Sequence, residues 1–342
     1  MRRTALLLGA LALTAAGALA LALRWYRAPL AGATAGGIVE IAPGQSLAGI
    51  ADGLAAGGVL DHPRLWTLFT RYTGQAARLR AGEYALRPGT TPEELLDLLV
   101  SGRVVLHPVT LIEGWTFTEA LAAVEANPVV KTTLKGATSA HIMELLGSAG
   151  VAPEGQLFPD TYLVPRGATD LEMLKLAHAR LAERLAAAWQ SRRAGLPLAS
   201  AYQALVLASI VEKETGAADE RPRIAGVFVN RLRLGMRLQT DPSVIYGLGA
   251  TYDGSIHKRD LLADTPYNSY TRAGLPPTPI ALPGAESLKA AAQPLATEEL
   301  YFVATGRGDG RHVFSHTLAQ HDAAVARYLA QLRGGAAHGT GR

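Results

Sequence analysis

Hydrophobic and polar positions follow three rhythms along the chain. From Thr4 to Leu23 there is no charge and no polar face; Arg2 and Arg3 precede the run, and Arg24 and Arg27 follow it. At helical rise this stretch can cross the ~30 Å hydrocarbon core of a bilayer. A cleavable signal is the alternative, because Ala18-Leu-Ala20 resembles a cleavage site, but the apolar part of such signals is usually about 7–15 residues long.

The second rhythm couples a short extended apolar run, a glycine turn and a helix start, and it occurs three times. Ile41-Ala-Pro-Gly44-Gln-Ser46 leads into an apolar-periodic stretch through Leu54. Leu86-Arg-Pro-Gly89-Thr-Thr91 leads into Pro92 through Val100, and Leu111-Ile-Glu-Gly114-Trp-Thr116 into Phe117 through Val124. Each hydroxyl is placed to accept a hydrogen bond from an unpaired N–H of the following helix. Thr91 as N-cap, Pro92 at the first helical position and Glu94 at the third are the fullest start signal. The first two copies are read as one compact β–α subdomain.

The third rhythm is helical and dominates the rest. It predicts a long helix from Leu171 to Arg192, broken by Gly195-Leu-Pro197, then one from the N-cap Ser200 to Thr215-Gly216, then one over Arg223 to Leu234. Gly and Pro are dense from Gly235 to Gly284, which reads as long irregular binding surface. Leu300 to Ala304 and Arg311 to Phe314 read as a hairpin, and Leu318 to Leu332 as a closing helix. These boundaries divide the chain into a cytoplasmic N-terminus and transmembrane anchor (1–27), a tether (28–37), a small β/α subdomain (38–105), a larger α+β domain (106–333) and a disordered Gly/Ala tail (334–342). The fold class is α+β.

Composition narrows the function. Net charge is only +4, with no Lys/Arg cluster interleaved with aromatics, so a nucleic-acid partner is not expected. There is no cysteine, hence no disulfide, thiol nucleophile or lipid-modified cysteine, and the helix itself must be the anchor. The flanking arginines leave the positive-inside bias weak, but a single N-terminal anchor usually translocates a large C-terminal domain. No metal or cofactor is expected: His312, His316 and His321 do not form a His-Glu-x-x-His helix, and there is no Gly-x-Ser-x-Gly elbow.

Candidate chemistry centres on Ala204-Leu-Val-Leu-Ala-Ser-Ile-Val-Glu-Lys-Glu-Thr-Gly216, an apolar helix with Glu212 and Glu214 in its last turn. Glu214 shares a face with Leu207, Ile210 and Val211, while Glu212 points about 160° away, toward Leu205, Ala208 and Ser209. Glu214 is therefore the better candidate for a desolvated acid/base carboxyl, and Glu212 a candidate ion-pair partner. Ordinary solvated charges at a helix end fit the same spacing. Asn230, the polar run Gln239-Thr240-Asp241, and Tyr267-Asn268 supply neutral donors, acceptors and an aromatic face suited to sugar hydroxyls and N-acetyl groups. Asn and Asp beside Gly and Pro also fit plain turns. Ser209 reads as a small packing residue.

The run Ala208-Ser-Ile-Val-Glu-Lys-Glu-Thr215, the stretch Val227 to Gly247, Tyr267-Asn-Ser-Tyr and Gly274-Leu-Pro-Pro closely resemble the YceG-like family of endolytic murein transglycosylases. The resemblance covers nearly the whole chain. It departs at Gln293, where His is common, and around the turn Gly308 to Phe314. It implies an N-terminal membrane helix, a LysM-like subdomain and a catalytic domain on the extracytoplasmic side of the inner membrane. The implied catalytic residue is Glu214, cleaving the β-1,4 bond between N-acetylmuramic acid and N-acetylglucosamine in peptidoglycan strands to leave 1,6-anhydro ends. Asn230, Gln239, Thr240, Asp241, Tyr267, Asn268 and Glu212 are the expected substrate-orienting residues, and peptidoglycan synthases the expected partners. Two other readings stay open: a hydrolysing muramidase using Glu214 and Asp241, and a non-catalytic wall-binding scaffold.

Overall fold

A computed structural model describes residues 2–33 and 35–338. In chain order the elements are α1 (Arg2–Tyr26), β1 (Gly37–Ile41), α2 (Leu47–Ala56), α3 (Pro63–Tyr72), β2 (Gly82–Leu86), α4 (Pro92–Ser101), β3 (Leu106–Thr110), α5 (Phe117–Glu125), α6 (Ser139–Leu145) and β4 (Thr161–Pro165). There follow α7 (Asp170–Gln190), α8 (Ala201–Glu214), α9 (Arg221–Arg233), α10 (Asp241–Leu248), α11 (Lys258–Leu262), α12 (Ala285–Ala292), β5 (Tyr301–Ala304), β6 (His312–Ser315) and α13 (Leu318–His338). The class is α+β, and among the described residues the strands pair in two-stranded sheets: β1–β2, β3–β4 and β5–β6.

The chain divides into two compact units, Met1–His107 with Leu163–Gly167, and Pro108–Tyr162 with Ala168–Arg342. The expected division fell at 105/106; the observed one falls two residues later, and a short return segment joins the first unit.

In the first unit β1 and β2 pair antiparallel from Gly37↔Leu86 to Ile41↔Gly82. The core gathers Tyr84 from β2 with Ile50, Leu54, Trp66, Leu95 and Leu99 from the helices. The cap signals hold: Ser46 accepts from the Gly49 N–H, and Thr91 with Glu94 forms a capping box. Helix α3 carries no capping signal in the sequence, since its His62 N-cap makes no side-chain bond. The expected tether is folded at its start: Leu30 and Ala33 are buried, and the Leu30 N–H donates to the Thr90 carbonyl. The α1 helix carries an apolar segment long enough to cross a membrane, exposed along its length.

In the second unit α8 is enclosed, with every residue from Ala204 to Val211 buried. It is covered by α12, α9, α7 and α10. A helix apolar on all sides belongs in the middle of a core, and its sequence had no polar face to offer water. The Gly/Pro-dense region is less irregular than expected, since α10 and α11 lie within it. Pro242 in the first turn of α10 suits its start, because its missing N–H would be unpaired there. Helix α13 continues through the start of the expected disordered tail to His338; the rest of that tail lies outside the described residues.

Candidate active site

The last turn of α8 delivers two glutamates into different surroundings. Glu212 is nearly excluded from solvent, its side chain 5% exposed, and pairs with Arg221 at 3.0 Å. Its other oxygen accepts the Gly284 N–H at 2.9 Å, at the start of α12. Gly284 has no Cβ, which would collide with the Glu113 carboxyl. Glu113 in turn lies 3.8 Å from Arg221. Burial and the neighbouring Glu212 raise the Glu113 carboxyl above its usual range. Both Glu212 oxygens are thus committed to protein groups, and Glu212 ties α8 to α9 and to the start of α12.

Among the described residues, no cation bonds to Glu214. Desolvation by the surrounding core pushes its carboxyl up to about 7. The negative charge of Asp241 adds to the rise; the Thr240 hydroxyl and the charge of Arg231 oppose it. Glu214 nevertheless keeps part of its surface open to solvent. A carboxyl that is crowded, still reachable and poised near neutrality can both give and take a proton. The helix wheel separated the two glutamates by face. In the folded chain both are sheltered, and what separates them is that Glu212 has a guanidinium and Glu214 does not.

Beside Glu214 runs the segment Gln239-Thr240-Asp241, leading into α10. Gln239 has φ of 51°, the left-handed region that non-glycine residues avoid. Its N–H donates to the Ser269 carbonyl at 3.1 Å. The Thr240 N–H donates to Ser269 Oγ, which is 2.8 Å from Ser243 Oγ. Thr240 is buried, and its Oγ1 makes no well-formed hydrogen bond. The hydroxyl lies beside the Glu214 carboxyl without closing on it. Asp241 is exposed and accepts the Tyr270 hydroxyl at 2.5 Å. Burial and the Asp241 charge drive the Tyr270 phenol well above its usual range.

Arg231 holds this segment from below. Its Nε donates to the Leu300 carbonyl at 2.6 Å, and its Nη1 to the Leu238 carbonyl at 2.8 Å. Nη1 also reaches Gln239 Oε1 at 3.3 Å. The guanidinium stacks over Tyr301, 5.1 Å from its ring centre. An arginine inside the apolar run Val227 to Leu232 was the signal in the sequence, and it was not taken up.

The other expected contacts divide. Tyr267 stands with its ring 4.8 Å from that of Tyr246 and its hydroxyl 2.8 Å from Thr278 Oγ1, partly exposed. Asn268 is 1% exposed. Its amide donates to the Asp260, Leu261 and Ala263 carbonyls, and its Oδ1 accepts the Tyr270 N–H. Asn230 donates to the Thr297 and Glu299 carbonyls. Both asparagines fasten loops by bonding their backbone carbonyls. Thr240 and Asp241, with Gln239 leading into them, stand beside Glu214, and Tyr267 packs on Tyr246 and Thr278.

Glu154 is buried and accepts the Phe117 N–H at 2.9 Å and the Gly155 N–H at 3.2 Å. Burial raises its carboxyl, while these bonds and the Tyr246 hydroxyl offset part of the rise. Tyr270 was visible in the Tyr-Asn-Ser-Tyr run, but its bond to Asp241 spans 29 positions. Of the histidines, His312 Nδ1 lies 2.8 Å from Glu220. Ser209 Oγ donates to the Val206 carbonyl and accepts the Ile280 N–H, in keeping with a packing role.

Comparison with known proteins gives one consistent result. A family model described as the YceG-like family matches residues 39–327. A Bacillus subtilis protein named endolytic murein transglycosylase is 30% identical over 308 residues, covering 85% of this chain and 84% of the relative. A Streptococcus pneumoniae protein of the same name is 28% identical over 324 residues; the match covers 85% of this chain but 58% of that longer relative. The crystal structure of a YceG-like protein from Listeria monocytogenes aligns with a TM-score of 0.53 at 28% identity, covering 84% of this chain and 98% of the other.

Proposed function

The chain belongs to the YceG-like family, and we propose that it is an endolytic peptidoglycan lytic transglycosylase, a lyase, with Glu214 as its single catalytic acid and base. Glu214, protonated, gives its proton to the glycosidic oxygen between N-acetylmuramic acid and N-acetylglucosamine as that bond breaks. The resulting carboxylate then takes the proton from the muramoyl C6 hydroxyl, whose oxygen bonds to the anomeric carbon. The proton lost in the first step is regained in the second, no water is consumed, and the new end is 1,6-anhydro. The observation that carries this reading is the Glu214 carboxyl, held near neutral pH with no bonded cation and open to one side. Retaining and inverting glycosidases need two carboxyls; this route needs one.

Gln239, Thr240 and Asp241 are assigned to orienting the sugar and the Glu214 carboxyl, and Tyr267 to an aromatic wall. The apolar α1 supports a single-pass anchor in the cytoplasmic membrane with the bulk of the chain outside it. The strand–helix–helix–strand order of β1, α2, α3 and β2 supports a LysM-like role for residues 38–105. An anchored enzyme reaches strands still being made at the membrane, so peptidoglycan synthases are the partners expected.

The test is mass spectrometry of purified glycan strands digested by the full-length protein in detergent, with Glu214→Gln as control. Anhydro-muramoyl ends from the parent alone are expected. Equal release by the variant, or none by the parent, sinks the catalytic reading and leaves a wall-binding scaffold. The carboxylate of Asp241 beside Glu214 favours one competing reading, a hydrolysing muramidase with Asp241 as base; reducing ends in place of anhydro ends would establish it.

A further inference from the structure

The end of the membrane helix is built into the first unit through α3. Trp25 Nε1 donates to Asp61 Oδ1 at 2.9 Å, and the Trp25 ring meets His62 edge-on at 5.4 Å. The next residue, Tyr26, stacks on Phe69 with ring centres 4.4 Å apart. On the anchoring reading of α1, helix α3 starts beside the point where the chain leaves the bilayer. Trp and Tyr at that level are the usual residues of a membrane boundary.

The outer face of α3 is not that of a solvated helix. Trp66 and Thr70 are fully buried, while Leu68 is 64% exposed and Tyr72 is 88% exposed. Take Phe69, which meets the membrane helix, as the origin. Leu65, Tyr72 and Leu68 follow around the helix at about 40°, 60° and 100°, and Arg64 and Arg71 at about 140° and 160°. The order is membrane contact, apolar stripe, then cations. Arg64 and Arg71 are exposed and take no part in the ion pairs of this unit. No acidic residue lies within α3. A cavity of about 400 Å³, lined by Asp61, His62, Pro63, Arg64 and Leu65, opens at its first turn.

We propose that this face of α3 rests on the anionic surface of the membrane that α1 enters. Leu65, Leu68 and Tyr72 would enter the headgroup region, with Arg64 and Arg71 on lipid phosphates. Helices that lie in the interface combine these two features, apolar burial and basic attraction to anionic lipid. The contact makes the anchor two-point, so the first unit is held at a set tilt where a single helix would let it swivel. The inference rests on the anchoring reading of α1.

The chain has no cysteine, so single cysteines can be placed without background. Full-length Tyr72→Cys and Asp52→Cys, the latter on the exposed side of α2, are labelled with a polarity-sensitive dye and reconstituted into vesicles with or without phosphatidylglycerol. The dye at 72 is expected to shift to the blue and lose about half its emission to a doxyl-lipid quencher in phosphatidylglycerol vesicles, with little change at 52. Arg64→Gln with Arg71→Gln in the Tyr72→Cys background should abolish the response. A dye at 72 as solvent-exposed as at 52, or a response indifferent to phosphatidylglycerol and to the arginines, overturns the proposal. Flotation with vesicles after an alkaline wash separates the two readings: protein that floats while its dye at 72 stays in water keeps the anchor and loses the α3 contact, and protein that fails to float loses both.

Discussion

Glu83 in the first unit and Glu214 in the second are both sheltered glutamates, and their carboxyls respond in opposite directions. Glu83 has two close side-chain partners, His107 Nε2 at 2.5 Å and the Arg166 guanidinium, through Nε, at 2.5 Å. Hydrogen bonds from both hold it below the usual carboxylate range. Glu214 has burial without a bonded cation, and its carboxyl rises to about 7. The same residue type acts as a clamp where its charge is matched, and where it is not its raised carboxyl suits the proton-carrying role proposed for Glu214. Glu212, two residues before Glu214, sides with Glu83 because Arg221 reaches it.

The contrast breaks most directly on activity. Glu214→Gln should lower release of anhydro-muropeptides about a thousandfold, the scale of general acid–base catalysis, while circular dichroism stays that of the parent. Glu83→Gln should leave turnover within about threefold, since a clamp does not touch the reaction.

Stability should reverse the ranking. A carboxyl whose folded pKa is raised binds its proton more tightly when folded, so its favourable contribution is complete below the ordinary value of 4.5 and declines as pH rises to about 7. Glu214→Gln does not titrate and should be more stable than the parent at pH 8, by at most about 3 kcal/mol, with the gain vanishing below about pH 4.5. Glu83 is lowered, so its contribution is present above the ordinary range and is lost as pH falls; Glu83→Gln should destabilise at pH 7 and converge with the parent in acid. Urea titrations across pH read both signs, and a Glu214→Gln curve parallel to the parent's would break the comparison.

Glu212→Gln tests whether pairing rather than position assigns the role. It leaves Arg221 without its nearest carboxylate and should cost about 2–3 kcal/mol in urea unfolding. The alkaline limb of kcat/KM should stay where the parent has it.

The smallest effect sharpens the Glu214 side. The Asp241 charge helps keep Glu214 protonated, so Asp241→Asn should lower the Glu214 pKa and move the alkaline limb to lower pH, by about half a unit. A limb that moves upward would mean that Asp241 is not acting on Glu214 as a neighbouring charge.

Much of the scaffold was legible because local chemistry dictates it. Ser46, Thr91, Thr116 and Ser200 announced their helices, and each caps in the fold as its spacing required. Helix α3 was missed because its start has no capping side chain, and α10 because Gly and Pro around it hid a short helix behind turn signals. Asn230 and Asn268 looked like substrate contacts because a polar side chain near turns reads the same whether it meets a sugar or a backbone carbonyl. Only the folded loops show that those carbonyls already use them.

By itself the sequence determined the apolar N-terminal helix, the capped helix starts, the enclosed α8 and the nomination of Glu214 over Glu212. These follow from periodicity and from backbone groups that must be paired within a few residues. The tertiary structure decided which carboxylates meet a cation. Arg221 reaches Glu212 from 9 positions away, and Arg166 reaches Glu83 from 83. Charge pairing acts through space, and the distances that set it exist only once the chain has closed on itself.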